Sequence, residues 1–370
     1  MTSATTTIPF SPIKFIDRVP KVSDVERRLK EFLLEFRQSD EPAESNGEDI
    51  FPKMGSSRSF EFNDRLTEKD RTRIRARAMR YVDRIVGSTG MRHLREEQQA
   101  ELTALRSGLP IPRFTTEHEA DEIAAALHAE VPWMAAATEE VWHDMRASVR
   151  DGLPGLRLSP LVLVGSPGIG KSYWARCLAD LLKVPTTKID ATGEPASFAL
   201  VGSQKGWGSA SYGKLVKTVL DERNAGPLVI IDEVEKAGEV TSDKGTKCAL
   251  TEALLPLLER MTAETWQCPY FQIEMNMAWV NWVLTANSRS GLPEPLQSRC
   301  MVLDIPDFTD RQLIDFATRE GRKRNLSGPT IDSLLSALEM KTDFKRKVSL
   351  RVVNRMLDRA EMLADRPMLH

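Results

Sequence analysis

Eight residues, GSPGIGKS from Gly165 to Ser172, stand directly after the apolar run LVLV and before a helical pattern. A buried strand that feeds a glycine-rich loop and then a helix aims a row of backbone N–H groups at one place, with the positive end of the helix dipole behind them. Such a place suits a triphosphate. Gly165, Ser166, Pro167, Gly168, Ile169 and Gly170 would line the cradle, and Tyr173 closes the set. Lys171 would reach the β- and γ-phosphates of ATP, and the Ser172 hydroxyl would hold Mg²⁺. The bare pattern arises by chance in about one chain in a hundred of this length, so a glycine turn without a ligand is the weaker reading.

Asp232 and Glu233 follow the apolar part of PLVIIDEVEK, where a central strand should end beside that loop. Asp232 is placed to support Mg²⁺ directly or through water, and Glu233 to orient and deprotonate an attacking water. A pair of acids at a strand exit is common by itself, and it is the phosphate loop on the same sheet that gives this pair its catalytic reading. The strand WVNWVLTAN ends at Asn287, whose amide can bond the γ-phosphate or the water from an adjacent strand. Arg299 follows the proline-rich SRSGLPEPLQSRC, and Arg351 lies on the helical VSLRVVNRMLDRA, able to swing onto nucleotide from a separate lid. Arginine suits both places because its planar fork meets two phosphate oxygens and its charge persists at any working pH.

These residues need a scaffold that brings strand ends together, and the pattern from Leu161 onward predicts one. Candidate strands at 161–164, 185–189, 227–231, 279–284 and 301–305 alternate with helices, as in a doubly wound parallel α/β sheet. Ligands in such sheets bind at the carboxyl ends of the strands, where the motifs fall. Ahead of the sheet, apolar spacing predicts helices over 22–37, 61–86, 91–105 and 116–150, with GLPIPRF as a turn. SDEPAESNGED cannot bury enough apolar surface to order itself. Arg71, Arg73, Arg75, Arg77 and Arg80 read as a solvated helix face rather than a nucleic-acid patch, since acids surround them.

In order and context the chain resembles an AAA+ ATPase over roughly its last two thirds, and most nearly the ATPase module of Lon proteases. GSPGIGKS looks like Walker A, LVIIDEVEK like Walker B, LTANS like the sensor-1 strand, GLPEPLQSRC like the loop of the Lon arginine finger, and SLRVVNR like the sensor-2 helix. The resemblance implies an AAA+ P-loop fold: a parallel sheet flanked by helices over 115–307, a C-terminal helical lid over 308–370, and a helical N-terminal region over 1–114 with a disordered segment near 38–58. It also implies Mg²⁺-dependent ATP hydrolysis in a homo-oligomeric ring, usually of six, in which Arg299 reaches ATP bound by a neighbour. In Lon relatives a loop between the second and third strands puts an aromatic and an aliphatic residue into the ring's pore. Here Trp207 takes the aromatic position and Gly208 the other, so Trp207 either grips polypeptide or anchors its glycine-rich loop. Ser242, Asp243 and Lys244 fall in a second such loop by resemblance. Lon proteases continue into a domain with a serine–lysine dyad, whereas this sequence stops at His370, so a non-proteolytic remodelling motor or assembly factor is expected. The rivals are a clamp-loader or helicase-loader type of nucleic-acid machine, because Ser298–Arg299–Cys300 also resembles a finger motif of that class, and a nucleotide-gated scaffold.

Composition narrows the partners. A formal net charge of -2 over 370 residues argues against a chain that coats nucleic acid and tilts the expectation toward a protein substrate or effector. Cys177, Cys248, Cys268 and Cys300 lack the close pairs of a zinc or dithiol centre. With no secretion signal at MTSATTTIPF and no run long enough to span a membrane, a cytoplasmic protein is expected.

Overall fold

The computed structural model describes residues 4–39, 66–193, 196–204, 210–237, 239–241, 247–343 and 348–364. Contacts divide the chain into two compact units, residues 12–106 and residues 1–11 with 107–370. In the smaller unit, helices Val22–Ser39 and Glu68–Gly87 pack together. The second begins at a capping box: the Thr67 hydroxyl accepts from Asp70 N, and the Asp70 carboxylate accepts from Thr67 N. The five clustered arginines are exposed while Ile74 and Ala78 of the same helix are buried, and Arg71 pairs with Glu68 and Arg75 with Glu26. The pattern over 91–105 yields a helix only at Glu96–Glu101 and a 3-10 turn at Leu102–Leu105. Its start is set where the Gln98 side chain accepts from Arg95 N.

The larger unit is built on five parallel strands: β1 (Leu161–Val164), β2 (Thr186–Asp190), β3 (Leu228–Asp232), β4 (Asn281–Ala286) and β5 (Met301–Asp304). Their order is β5-β1-β4-β3-β2. β1 and β4 are buried along their whole length, which is why β1 reads as an unbroken apolar run and β4 does so between buried Asn281 and Thr285. Register matters more for function. Val164 lies opposite Ala286, Leu284 opposite Ile231, and Asp232 opposite Asp190, so the carboxyl ends of β1, β4 and β3 finish side by side.

Helices α1 (Glu117–Glu130), α2 (Ala135–Arg150), α3 (Lys171–Leu182), α4 (Lys214–Glu222) and α5 (Leu250–Leu258) accompany the sheet. Three more follow it: α6 (Asp310–Lys323), α7 (Gly328–Asp343) and α8 (Leu350–Ala364). One core joins them, because Trp133, Ile169, Trp174, Phe316, Leu350 and Leu357 belong to the same buried cluster. Helix α6 is tied to the end of α1: Arg319 donates to the carbonyls of Ala129 and Glu130, and Lys323 pairs with Glu130 at 2.8 Å.

GLPIPRF is not a turn. Leu109–Arg113 form a strand antiparallel to Ala4–Ile8, despite Pro110 and Pro112. Prolines survive in a two-stranded ribbon because their missing N–H need serve no second neighbour, and here their carbonyls accept from Ala225 N and Leu156 N. Among the described residues no helix is long and apolar enough to cross a membrane.

Candidate functional site

The loop from Gly165 to Gly170 turns back over the end of β1. Gly168 and Gly170 hold φ of 81° and 97°, a left-handed backbone that L side chains rarely adopt. A Cβ on Gly168 would also lie 2.7 Å from Ser349 Cβ, just ahead of α8. Helix α3 then starts at Lys171 with Gly170 as its N-cap and no side-chain cap, so its first N–H groups face the loop's concave side unclaimed by side chains.

The first turn of α3 and the ends of β3 and β4 deliver their side chains to that place. Lys171, 7% exposed as a residue, donates from its ammonium to Gly165 O at 2.6 Å, Ser166 O at 3.1 Å and Asn287 Oδ1 at 3.3 Å. Burial pulls its proton affinity below the ordinary lysine value, opposed by Glu235, Asp232 and Glu233. The Ser172 hydroxyl donates to Asp232 Oδ1 at 2.6 Å. From the neighbouring strand, Asn287 Nδ2 donates to Glu233 Oε1 at 3.2 Å. Thus Lys171, Asn287 and Glu233 form one chain of hydrogen bonds, and Ser172 and Asp232 a second beside it, between the start of α3 and the ends of β3 and β4. Glu233 takes a φ of 55°, a strained turn for a residue with a side chain. Its second oxygen accepts from Lys236 Nζ at 2.8 Å, and that bond, ahead of the one from Asn287, holds its carboxyl below the ordinary range.

The fit to nucleotide and metal follows from the donors themselves. An ammonium whose hydrogen bonds go to neutral oxygens, and helix N–H groups without a side-chain cap, offer positive potential to an incoming phosphate. Ser172 and Asp232 supply a hydroxyl and a carboxylate oxygen in direct contact, the hard donors that magnesium takes alongside phosphate and water.

Two predicted residues lie apart from this cluster in the single chain. Arg299, past the short helix Glu294–Gln297, places Nε 3.5 Å from Glu259 and donates from Nη1 to Pro295 O at 3.2 Å. Arg351 is exposed on the first turn of α8 and makes no hydrogen bond or ion pair among the described residues. Its neighbour Leu350 donates its N–H to Gly168 O at 3.1 Å, which puts the start of α8 against the loop. Tyr173 packs edge-on to Phe316, and burial pushes its hydroxyl up, so it stays protonated. Burial also pushes the Cys268 thiol up to about 11 and the Cys300 thiol up to about 12, leaving neither as a thiolate at neutral pH.

Trp207, Gly208, Ser242, Asp243 and Lys244 lie outside the described residues. The stem of the Trp207 loop is described: Ser203 N donates to Ser211 O at 3.0 Å, and Tyr212 stacks on Phe271 at 5.3 Å.

The sequence reading missed several contacts in this region. Trp133 donates from Nε1 to Ile169 O at 2.8 Å and stands edge-on to Phe308 and Phe316, so it braces the loop from the side of α6. Thr285, inside β4, accepts from Glu233 N and donates to Asp232 Oδ1. Glu235 accepts from Asn287 N at 2.9 Å, and Lys188 on β2 forms an ion pair with Asp232 Oδ2. Only Thr285 carried a local signal, a hydroxyl between Leu284 and Ala286, two residues before Asn287.

Residues 161–305 match the ATPase family associated with various cellular activities (AAA). A Lon protease of Malacoplasma penetrans is 26% identical over 183 residues, 50% of this chain and 22% of that protein. One of Chlamydia trachomatis is 27% identical over 54% of this chain and 24% of its own, and one of Mycoplasmopsis agalactiae is 30% identical over 42% and 15%. The chain therefore spans less than a quarter of the length of these relatives. The closed-state cryo-EM reconstruction of Hsp104 with ATPyS and FITC casein shares the fold, with a TM-score of 0.51, 14% identity, and coverage of 80% of this chain and 51% of that one. The phosphate loop, the acid pair and the strand ends that carry them meet within residues 161–305, the segment that matches the AAA family.

Proposed function

We propose that the chain hydrolyses ATP with Mg²⁺ and uses the energy to remodel or assemble protein, working in the cytoplasm as a ring of six copies. The observation that carries this reading is the hydrogen-bonded chain from Lys171 through Asn287 to Glu233, set beside Ser172 and Asp232 at an uncapped helix start. In it the loop N–H groups and Lys171 bind the phosphates, Ser172 and Asp232 hold the metal, Glu233 takes a proton from water, and Asn287 orients that water or the γ-phosphate. When bound, Mg²⁺ neutralises charge on the phosphate oxygens. Arg351, one residue beyond the Leu350 N–H that meets Gly168 O, belongs to a lid over 308–370 and reaches the nucleotide from there. Arg299 serves an adjoining copy, since in its own chain it is held by Glu259 and Pro295. Action on protein is supported by similarity to Lon proteases and by the near-neutral charge, and we assign choice of substrate to the unit at 12–106.

Turnover per subunit, followed against protein concentration together with solution mass, tests the shared site. Specific activity should rise with concentration as larger species form, and a monomer with full activity would overturn the reading. Glu233→Gln should keep nucleotide binding and lose turnover by roughly a hundredfold or more, as for removal of a general base; unchanged turnover removes Glu233 from that role.

Lys236 gives a pH prediction. A base works only when ionised, so a Glu233 carboxyl held below its ordinary range keeps activity down to a lower pH. Lys236→Met removes the largest cause of that depression, and the acid limb of kcat should move upward in pH. A limb that stays put, or moves down, rules out Lys236 as the group that sets it.

A further inference from the structure

The chain places a carboxylate against Arg299 that the mechanism above does not use. Helix α5 contains Pro256, ends at Leu258, and gives way at Glu259 to an extended residue ahead of the short helix Arg260–Glu264. The Thr262 hydroxyl pins this corner by donating to Pro256 O at 2.7 Å and Glu259 O at 3.0 Å, while Leu257 and Leu258 anchor it in the core. The Glu259 side chain is left on the outside, with Oε2 3.5 Å from Arg299 Nε. Arg299 is fixed from its own side as well, since its N–H bonds to buried Leu296 O and Nη1 to Pro295 O. Its Nε is buried and has no hydrogen-bond partner, so the charge of Glu259 is what faces that edge of the guanidinium.

We propose that Glu259 is a positioning residue for Arg299: it holds the Nε edge of the guanidinium so that the rest of the fork is presented to the phosphates of nucleotide bound by an adjoining subunit. This rests on the reading of Arg299 as a residue that acts across subunits. An ion pair as exposed as this one adds little to folding. Its effect is on aim, because a long side chain confined beforehand arrives at the transition state without first losing its freedom.

Glu259→Ala should lower kcat about five- to tenfold, with KM for ATP and the melting temperature unchanged, and Glu259→Gln, which keeps an oxygen without the charge, should fall between. The decisive experiment mixes two full-length variants, Glu233→Gln as donor of Arg299 and Arg299→Ala as owner of an intact Glu233. Adding Glu259→Ala to the donor should reduce the rescued turnover, whereas adding it to the Arg299→Ala subunit should leave the rescue in place. Equal loss from either side, or none from the donor side, overturns the proposal. The control separates it from the reading beneath it: if Arg299→Ala alone turns over like the parent, the action across subunits fails, whatever Glu259 does.

Discussion

Lys171→Ala weakens binding of a fluorescent ATP analogue by a hundredfold or more in the presence of magnesium. Two charge-assisted hydrogen bonds to phosphate, each worth about 1.5–3 kcal/mol, account for that much, since ~1.4 kcal/mol is tenfold in affinity. The alternative, that the variant merely unfolds, is separable by melting without nucleotide. Burial holds the Lys171 proton affinity below that of an unfolded lysine, so the ionised form is disfavoured by folding. The cost is present at neutral pH and disappears only as pH rises through the lowered value toward 10.5. Removing the side chain relieves it, and Gly165 and Ser166, whose carbonyls Lys171 now occupies, are both part-exposed. The free variant should therefore melt no earlier than the parent while losing the rise that nucleotide gives. A dissociation constant within threefold of the parent's removes Lys171 from phosphate binding.

What could be read from the residues and what could not divides along locality. The loop and its helix start are contiguous in sequence, and Asp232 and Glu233 terminate an apolar strand, so their chemistry is written in order along the chain. Strand ends were displaced for a small physical reason: Pro185 and Pro227 have no N–H to give a ladder, so β2 and β3 begin one residue later, and each proline serves as an acceptor, for Leu228 N and Asn281 N. At the start of β4, Val280 N turns back to Met277 O, which withholds Trp279 and Val280 from the strand. GLPIPRF carried every mark of a turn and became a strand because residues over a hundred positions away were available to pair with it. Trp133, Lys188 and Glu259 reach their partners only through the packing of whole elements, and nothing in their neighbours along the chain sets them apart from other tryptophans, lysines and glutamates.

Arg299→Ala keeps nucleotide affinity and loses turnover by about a thousandfold, ~4 kcal/mol at the barrier, the scale at which an arginine supplied to a phosphoryl-transfer site acts. The single chain gives the reason to expect an action between copies: the Arg299 guanidinium is bound to Glu259 and Pro295, while Lys171, Asn287 and Glu233 bond one another without it. Because such an interface joins unlike faces of successive subunits, it generates a closed ring or an open helix, and loss at one face can be made good by the other subunit. Mixed with Glu233→Gln subunits, Arg299→Ala subunits keep their own Glu233 and receive an intact arginine from next door. At equal amounts and random order about a quarter of interfaces combine both, so turnover should recover to about that share of the parent's. Recovery that peaks at an intermediate ratio and vanishes with either variant alone is the expected pattern. Inactivity at every ratio, with mixed assemblies confirmed by mass, would place the action of Arg299 within its own subunit and require the bond to Glu259 to break before each turnover.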